Sequence, residues 1–383
     1  MAISRGRRIS GWRRDLMQFV RLGRTDEKVS VVGLGAGGHS RLGMARGASS
    51  EEAADIVRHA IDLGINFIDT ALVYRTEEAV GLGIEGRDRS KLFLSTKSWV
   101  GKGGAENDPE RFTPAEFTAN LETSLRNLKT DYVDLFHLHG VSFEQLDYAR
   151  EVLLPELKRQ QQAGKVRFIG ITEMFRFDTD HRMLKAALPT NEFDVVMTGF
   201  NLLNPSARKS VFPLTMQHDV GTLIMFAVRR GLNSVENTRE AVAALIGSGE
   251  VDPAAINPDD PLDFLRATPG VKSQIEAAYR FCRHEPGAHV ILTGTGSAAH
   301  LEENISPRRC PLRRWRSWKR SSARQAPPRP IETVRAYFPK TVSWNSSIST
   351  NQVLKDSATF SRGRPAKSRS TSISSTGSPS SSR

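Results

Sequence analysis

The sequence predicts an α/β protein: a (β/α)8 TIM barrel over residues 17–305, entered through an N-terminal β-hairpin and followed by a disordered basic tail. Three observations carry that expectation. Eight short runs rich in β-branched residues alternate with helical stretches at a regular beat, which favours a parallel sheet. Eight such units closing into a ring fit the roughly 250 residues typical of this barrel. Charge also divides the chain. Residues 1–16 hold five arginines and one aspartate, residues 306–383 hold 17 basic and two acidic residues, and residues 17–305 hold 32 basic against 39 acidic. The middle is therefore an acidic globular body with basic ends.

The elements follow in order. "MQFVRLGRTDEKVS" reads as a hairpin closing the bottom of the barrel, and "KVSVVGLG" (28–35) as the first strand. Ser49, Ser50, Glu51 and Glu52 open a helix, since serine caps and early acids satisfy its free N–H groups and its dipole. "INFIDT" (65–70) and "KLFLSTKS" (91–98) flank the helical "TEEAVGLGI". "DYVDLFHLH" (131–139) follows a helix begun at "TPAEF", and "KVRFIGIT" (165–172) follows the amphipathic "FEQLDYAREVLLPELKRQQQAG", stopped by Gly164. "FDVVMTGFN" (193–201), "GTLIMFAV" (221–228) and "HVILTG" (289–294) complete eight strands. The connection 229–288, with Pro253, Pro258 and Pro261, is expected to be an insertion with extra helices.

Composition excludes several classes. Cys282 and Cys310 cannot build a disulfide framework, and no cysteine or histidine cluster has metal-ligand spacing, so no metal is expected and a reducing, cytoplasmic setting is. No apolar run approaches the ~20 residues that span a bilayer, so no membrane partner is expected. The formal charge of +12 lies at the ends, which argues against a specific nucleic-acid partner for the body. Residues 1–16 are read as a disordered basic extension, with an organelle transit peptide as the alternative. Gly33, Gly35 and Gly38 match a dinucleotide fingerprint, but "HSRLGMARGA" intervenes before a helix, so they are read as a loop above the first strand.

The residues that carry chemistry stand at consecutive strand ends. Asp69, Lys97 and His139 end the second, third and fourth strands, and Tyr74 lies five residues past Asp69. In a parallel barrel these ends converge on one mouth. A lysine beside a tyrosine favours phenolate and is expected to lower the phenol's pKa, while an aspartate keeps that lysine charged and in place. Such a tyrosine can protonate a carbonyl oxygen as hydride reaches carbon, and a neutral histidine can hold that oxygen. His137 is read as a satisfied core histidine, Tyr132 and Tyr148 as packing residues, and an Asp69–Lys97 pair of purely structural role is the competing reading.

"FIDTALVY", "LSTKS", "YVDLFHLHG" and "GKVRFIGIT" are similar to segments of the aldo-keto reductases, in the same order, and the resemblance covers residues 17–305. It implies a catalytic set of Asp69, Tyr74, Lys97 and His139 on a barrel that binds NADP(H) or NAD(H), acting on a small-molecule carbonyl or alcohol. The family's Ser-Asn pair after the fifth strand is Thr172–Glu173 here, with Met197 where a glutamine commonly helps. Glu173 is then expected to accept from the nicotinamide amide and Thr172 to donate to it. In "GTGSAAHLEEN" (294–304) the resemblance places Gly294, Ser297, His300, Glu303 and Asn304 on the cofactor, with Lys272 as a helper. His300 stands where arginine grips a 2′-phosphate, and a neutral imidazole grips it less firmly. The polar loop "WVGKGGAENDPERF" (99–112) is expected to meet substrate, with Trp99 as a pocket wall. The alternative function is a catalytically impaired nucleotide-binding barrel with a sensing or scaffolding role.

The helix "SAAHLEEN" passes into "SPRRCPLRRWRSWKR" where such barrels continue with an acidic helix. Shifting the codons of Trp315 and Trp318 by one base yields Leu, Val or Met, and the same shift makes Lys319 into Glu. Residues 306–383 are thus expected to follow a slipped reading frame or splice junction near residues 306–310, and to leave apolar barrel surface without its last helical cover.

Overall fold

The computed structural model describes residues 17–103, 108–247, 249, 251–266 and 271–305. The expected N-terminal extension and the basic tail with its frame slip lie outside those residues. Eight parallel strands form a closed barrel: β3 (Val32–Gly35), β4 (Phe67–Asp69), β5 (Phe93–Trp99), β6 (Val133–Val141), β7 (Val166–Glu173), β8 (Val195–Gly199), β9 (Gly221–Met225) and β10 (Val290–Thr293), with β10 returning to β3. Three of them, β5, β6 and β7, run one or two residues past the predicted runs, at the end where the site residues stand.

The first predicted strand divides in two. β1 (Phe19–Arg21) pairs antiparallel with β2 (Lys28–Ser30), and the chain breaks at Val31 before entering the barrel at Val32. Side-chain bonds cause the break: Ser30 donates its hydroxyl to Val32 O at 2.6 Å, while its N–H is taken by Asn66 Oδ1 at 2.7 Å. The hairpin seals the floor. Gly23, at φ +52°, comes so close that a Cβ there would lie 2.3 Å from the Gly221 nitrogen, so only glycine fits this turn. Leu22 and Val29 join Phe67, Phe93, Leu135, Val195, Leu223 and Val290 in an apolar plug inside the barrel.

Period-two alternation puts every second residue of a strand inside. Above the plug the interior therefore turns polar, with Asp69, Ser95, Lys97, His137, His139 and Thr172 all buried. The outward residues pack under the helices in a second, larger apolar cluster. Helix starts follow their caps. Ser49 and Glu52 form a reciprocal capping box before Ser50–Asp62, and Thr113 with Glu116 does the same before Pro114–Leu128. The long helix after β6 contains a π-helical turn, Ala149–Leu153, where Pro155 lacks the N–H that would continue an α ladder. It ends, as predicted, at Gly164, at φ +77°.

The insertion after β9 supplies helices Arg230–Asn233, Val235–Gly247, Asp263–Arg266 and Gln274–Arg283. The seam where β9 meets β10 is short. Only Val290↔Leu223 and Ile291↔Ile224 are in register there, against five pairs between β5 and β6. Side chains lengthen the seam: His289 Nδ1 accepts from the Thr222 N–H at 3.1 Å, and Thr222 Oγ1 accepts from the His289 N–H at 3.0 Å. After β10, helix Ala298–Ile305 buries Leu301 and Ile305 against the barrel.

Candidate active site

Four strand ends and one loop build the mouth. Lys97 is completely buried, and its Nζ donates to Asp69 Oδ1 at 2.9 Å, Asp69 Oδ2 at 2.7 Å and Thr70 O at 2.6 Å. Ser95, two residues before Lys97 on the same face, donates to Asp69 Oδ1 at 2.9 Å. Tyr74 stands on the short turn Leu72–Tyr74 after β4, its ring 4.9 Å from Lys97 Nζ and its hydroxyl 3.4 Å from His139 Nε2. The four residues predicted from the strand ends thus meet in one cluster.

Electrostatics sharpen their roles. Burial favours neutral amine, but the facing Asp69 and Tyr74 outweigh it and hold Lys97 above the ordinary lysine range. His139 is pushed well below the ordinary 6.5 by burial and by the Lys97 charge, so its ring is neutral. Tyr74 corrects the sequence expectation. Burial raises its pKa above 10.0, and Lys97 offsets this only in part because Asp69 opposes its charge. The resting residue is therefore a phenol.

Trp99 lies flat on His139, ring centroids 4.2 Å apart at 21°. Gly140 makes room for it: at φ +55°, a Cβ there would stand 2.3 Å from the Trp99 ring. One correction concerns a neighbouring residue. His137 is buried in the barrel, over the bare Gly170, but neither of its ring nitrogens has a hydrogen-bond partner among the described residues. Its core placement is as expected, and its being satisfied is not. Burial and Lys97 keep it neutral. As expected, Tyr132 packs under Arg89 and Tyr148 under Arg111, and the Tyr148 hydroxyl also donates to Phe112 O at 2.9 Å.

The expected cofactor residues divide. Thr172 Oγ1 accepts from the Gly140 N–H at 2.6 Å, which leaves its own proton to give. Glu173, expected to accept from a nicotinamide amide, is already engaged. One oxygen faces His181 Nδ1 at 2.8 Å, and the other accepts from Thr198 Oγ1 and the Gly199 N–H, both at 2.8 Å. His181 Nε2 in turn meets Ser206 Oγ at 2.8 Å. This buried chain ties the loops after β7 and β8 together. Gly294 is exposed beside Gly35, where a Cβ would stand 3.0 Å from Gly35 O, so the ends of β3 and β10 meet there backbone to backbone. Ser297 follows on that loop, His300 and Glu303 are exposed, and Asn304 turns inward to give Nδ2 to Thr293 Oγ1 at 2.9 Å. Lys272 is exposed, on the insertion.

Other mouth residues have no signal in the sequence. Phe175 stacks on His181 and fills the space over Gly199, and its ring lies 6.1 Å from Phe226, just past β9. The Arg229 guanidinium covers Phe226 at 3.9 Å.

The family pattern described as the Aldo/keto reductase family matches residues 32–314. The L-galactose dehydrogenase of Arabidopsis thaliana is 28% identical over 312 residues, spanning 74% of this chain and 86% of that protein. The NADH-specific methylglyoxal reductase of Escherichia coli is 25% identical over 242 residues, 59% of this chain and 72% of that one. The holo form of an aldo-keto reductase from Bacillus halodurans shares the fold at a TM-score of 0.61 and 21% identity, with 86% of this chain and 99% of that chain covered.

Proposed function

Because the chain belongs to the aldo/keto reductase family, we propose that it interconverts a carbonyl and an alcohol by hydride transfer with NADP(H) or NAD(H), Tyr74 moving the proton. The meeting of Tyr74, His139 and Lys97 carries this reading: a phenol 3.4 Å from a neutral imidazole, above a buried ammonium. The exposed bare backbone at Gly294 and the spare proton of Thr172 fit a dinucleotide, whereas the occupied oxygens of Glu173 argue for a different acceptor for the amide. The bound coenzyme supplies or takes the hydride.

The residues of the chain do the rest. His139 Nε2 and the Tyr74 hydroxyl hold the carbonyl oxygen between them, and Tyr74 gives its proton as that oxygen gains charge. Lys97 steadies the resulting phenolate, while Asp69, Ser95 and Thr70 O fix Lys97 in position. Trp99 walls the His139 side against water. The relatives, a sugar dehydrogenase and a methylglyoxal reductase, support small polar carbonyls, sugars included.

The pH dependence follows from the sign of the shifts. Reduction uses the phenol, and burial moves its pKa above 10.0. Reductive kcat/KM is therefore expected to stay level through neutral pH and to fall only above pH 10, with no limb near 6.5 because His139 is already neutral. Alcohol oxidation uses the phenolate and should rise with pH over the same range. A panel of aldehydes, ketones and aldoses, assayed with NADPH and with NADH across pH, tests the reading. Coenzyme binding without turnover of any of them would overturn it in favour of a sensing barrel.

A further inference from the structure

For His139 Nε2 to hold a carbonyl oxygen, that nitrogen must carry the one N–H of the neutral ring. Nδ1 is then a bare lone pair, and which nitrogen keeps the proton is set by the bond the other makes. His139 Nδ1 is buried and has no hydrogen-bond partner among the described residues. The ring is held in place: Trp99 lies flat on it, and the Tyr74 ring meets it at 88° with centroids 5.6 Å apart. A donor must therefore come to Nδ1.

One step down the same face of β6 stands His137. Residues two apart on a strand share a face at a spacing of about 6.6 Å, and the inner face of β6 climbs from Leu135 in the apolar plug through His137 to His139. A leucine like Leu135 would fill position 137 without polar cost. The chain instead places there a completely buried imidazole whose Nδ1 and Nε2 both lack a partner among the described residues. Room for it comes from β7, where a Cβ on Gly170 would stand 2.2 Å from His137 Nδ1. Buried polar groups are costly unless they are bonded. Neighbouring donors are committed: Lys97, opposite His137 in the β5–β6 register, gives its ammonium to Asp69 and Thr70 O, and Ser95 gives its hydroxyl to Asp69. Thr172 keeps a proton to give and is the competing donor.

We propose that His137 is a positioning residue: its ring N–H, relayed by one buried water, donates to His139 Nδ1 and so holds the proton of His139 on Nε2. The spacing of the two residues admits a single water, with polar ring atoms on either side of it. The use made of that proton rests on the reductase reading; the bond itself does not.

The experiment is long-range 1H–15N NMR of the full-length protein labelled with 15N-histidine, which reports the nitrogen that carries each ring proton. It is run beside kcat and KM for the aldehyde turned over fastest in the panel. In the wild type, His139 is expected as the Nε2–H tautomer. His137→Leu should shift it toward Nδ1–H and lower kcat by about fivefold to tenfold, what one neutral hydrogen bond contributes, with coenzyme affinity unchanged. His137→Gln still offers an N–H, and it should keep the Nε2–H form and recover most of kcat. An Nε2–H form that depends on His137 in a protein that turns over no carbonyl would sustain the bond and remove the reductase reading. A wild-type His139 protonated on Nδ1 would overturn the proposal, and that spectrum decides even if His137→Leu does not fold. A tautomer unchanged in His137→Leu would overturn it too, leaving His137 to packing, or to Thr172 the donor's part if Thr172→Val shifts the proton instead.

Discussion

Replacing Tyr74 with phenylalanine is expected to lower kcat for carbonyl reduction by about a thousandfold, within the range general acid catalysis contributes, while leaving the melting temperature nearly unchanged. The hydroxyl's contact with His139 Nε2 is long, at 3.4 Å, and the ring remains over Lys97 in the variant. Little packing is lost, so the effect falls on the proton and not on the fold. Coenzyme affinity should hold, because neither Thr172 nor the bare backbone at Gly294 is touched. Stopped-flow single turnovers against titration of coenzyme separate the two quantities. A variant that kept wild-type turnover would leave Tyr74 without a chemical role.

Lys97→Met should be costly in both quantities. It leaves Asp69, only 3% exposed, as a buried carboxylate without its cation. Breaking such a pair from one side costs about 3–5 kcal/mol, whereas replacing both partners with apolar groups is often close to neutral. Lys97→Met alone is thus expected to lower the melting temperature by several degrees, and the double variant with Asp69→Leu to recover part of it. Activity should recover in neither, since both lack the ammonium that steadies the phenolate. Denaturant melts of the two proteins check this, and equal instability of single and double variants would contradict the ion-pair account.

The barrel and its four clustered residues are legible in the sequence for a physical reason. Strand interiors repeat every two residues, and one-dimensional spacing suffices to put Asp69, Lys97 and His139 at adjoining ends of a ring. What stays hidden depends on partners that arrive from elsewhere. Glu173 reads as a free acceptor because His181, Thr198 and the Gly199 N–H reach it only when later parts of the chain fold against it. The direction of the Tyr74 shift depends on its burial first and then on how far Asp69 offsets the charge of Lys97, neither of which a string of residue types contains. The break at Val31 comes from the Ser30 and Asn66 side chains within an unbroken β-branched run.

The short seam between β9 and β10 has a consequence for how the ring fails. A hoop opens at its buckle, and here the buckle is Thr222 with His289, added to two residue pairs. Burial holds His289 at about 4 against an ordinary 6.5, and the neutral ring is what lets Nδ1 accept from the Thr222 N–H. The unfolded chain takes up its proton first, so stability drains as pH falls from 6.5 toward 4 and then levels. Near pH 4 the acceptor itself becomes a donor and the clasp is lost. Amide exchange under acid should therefore quicken along β9 and β10 before it reaches β5 and β6, so that this barrel unrolls from its shortest seam.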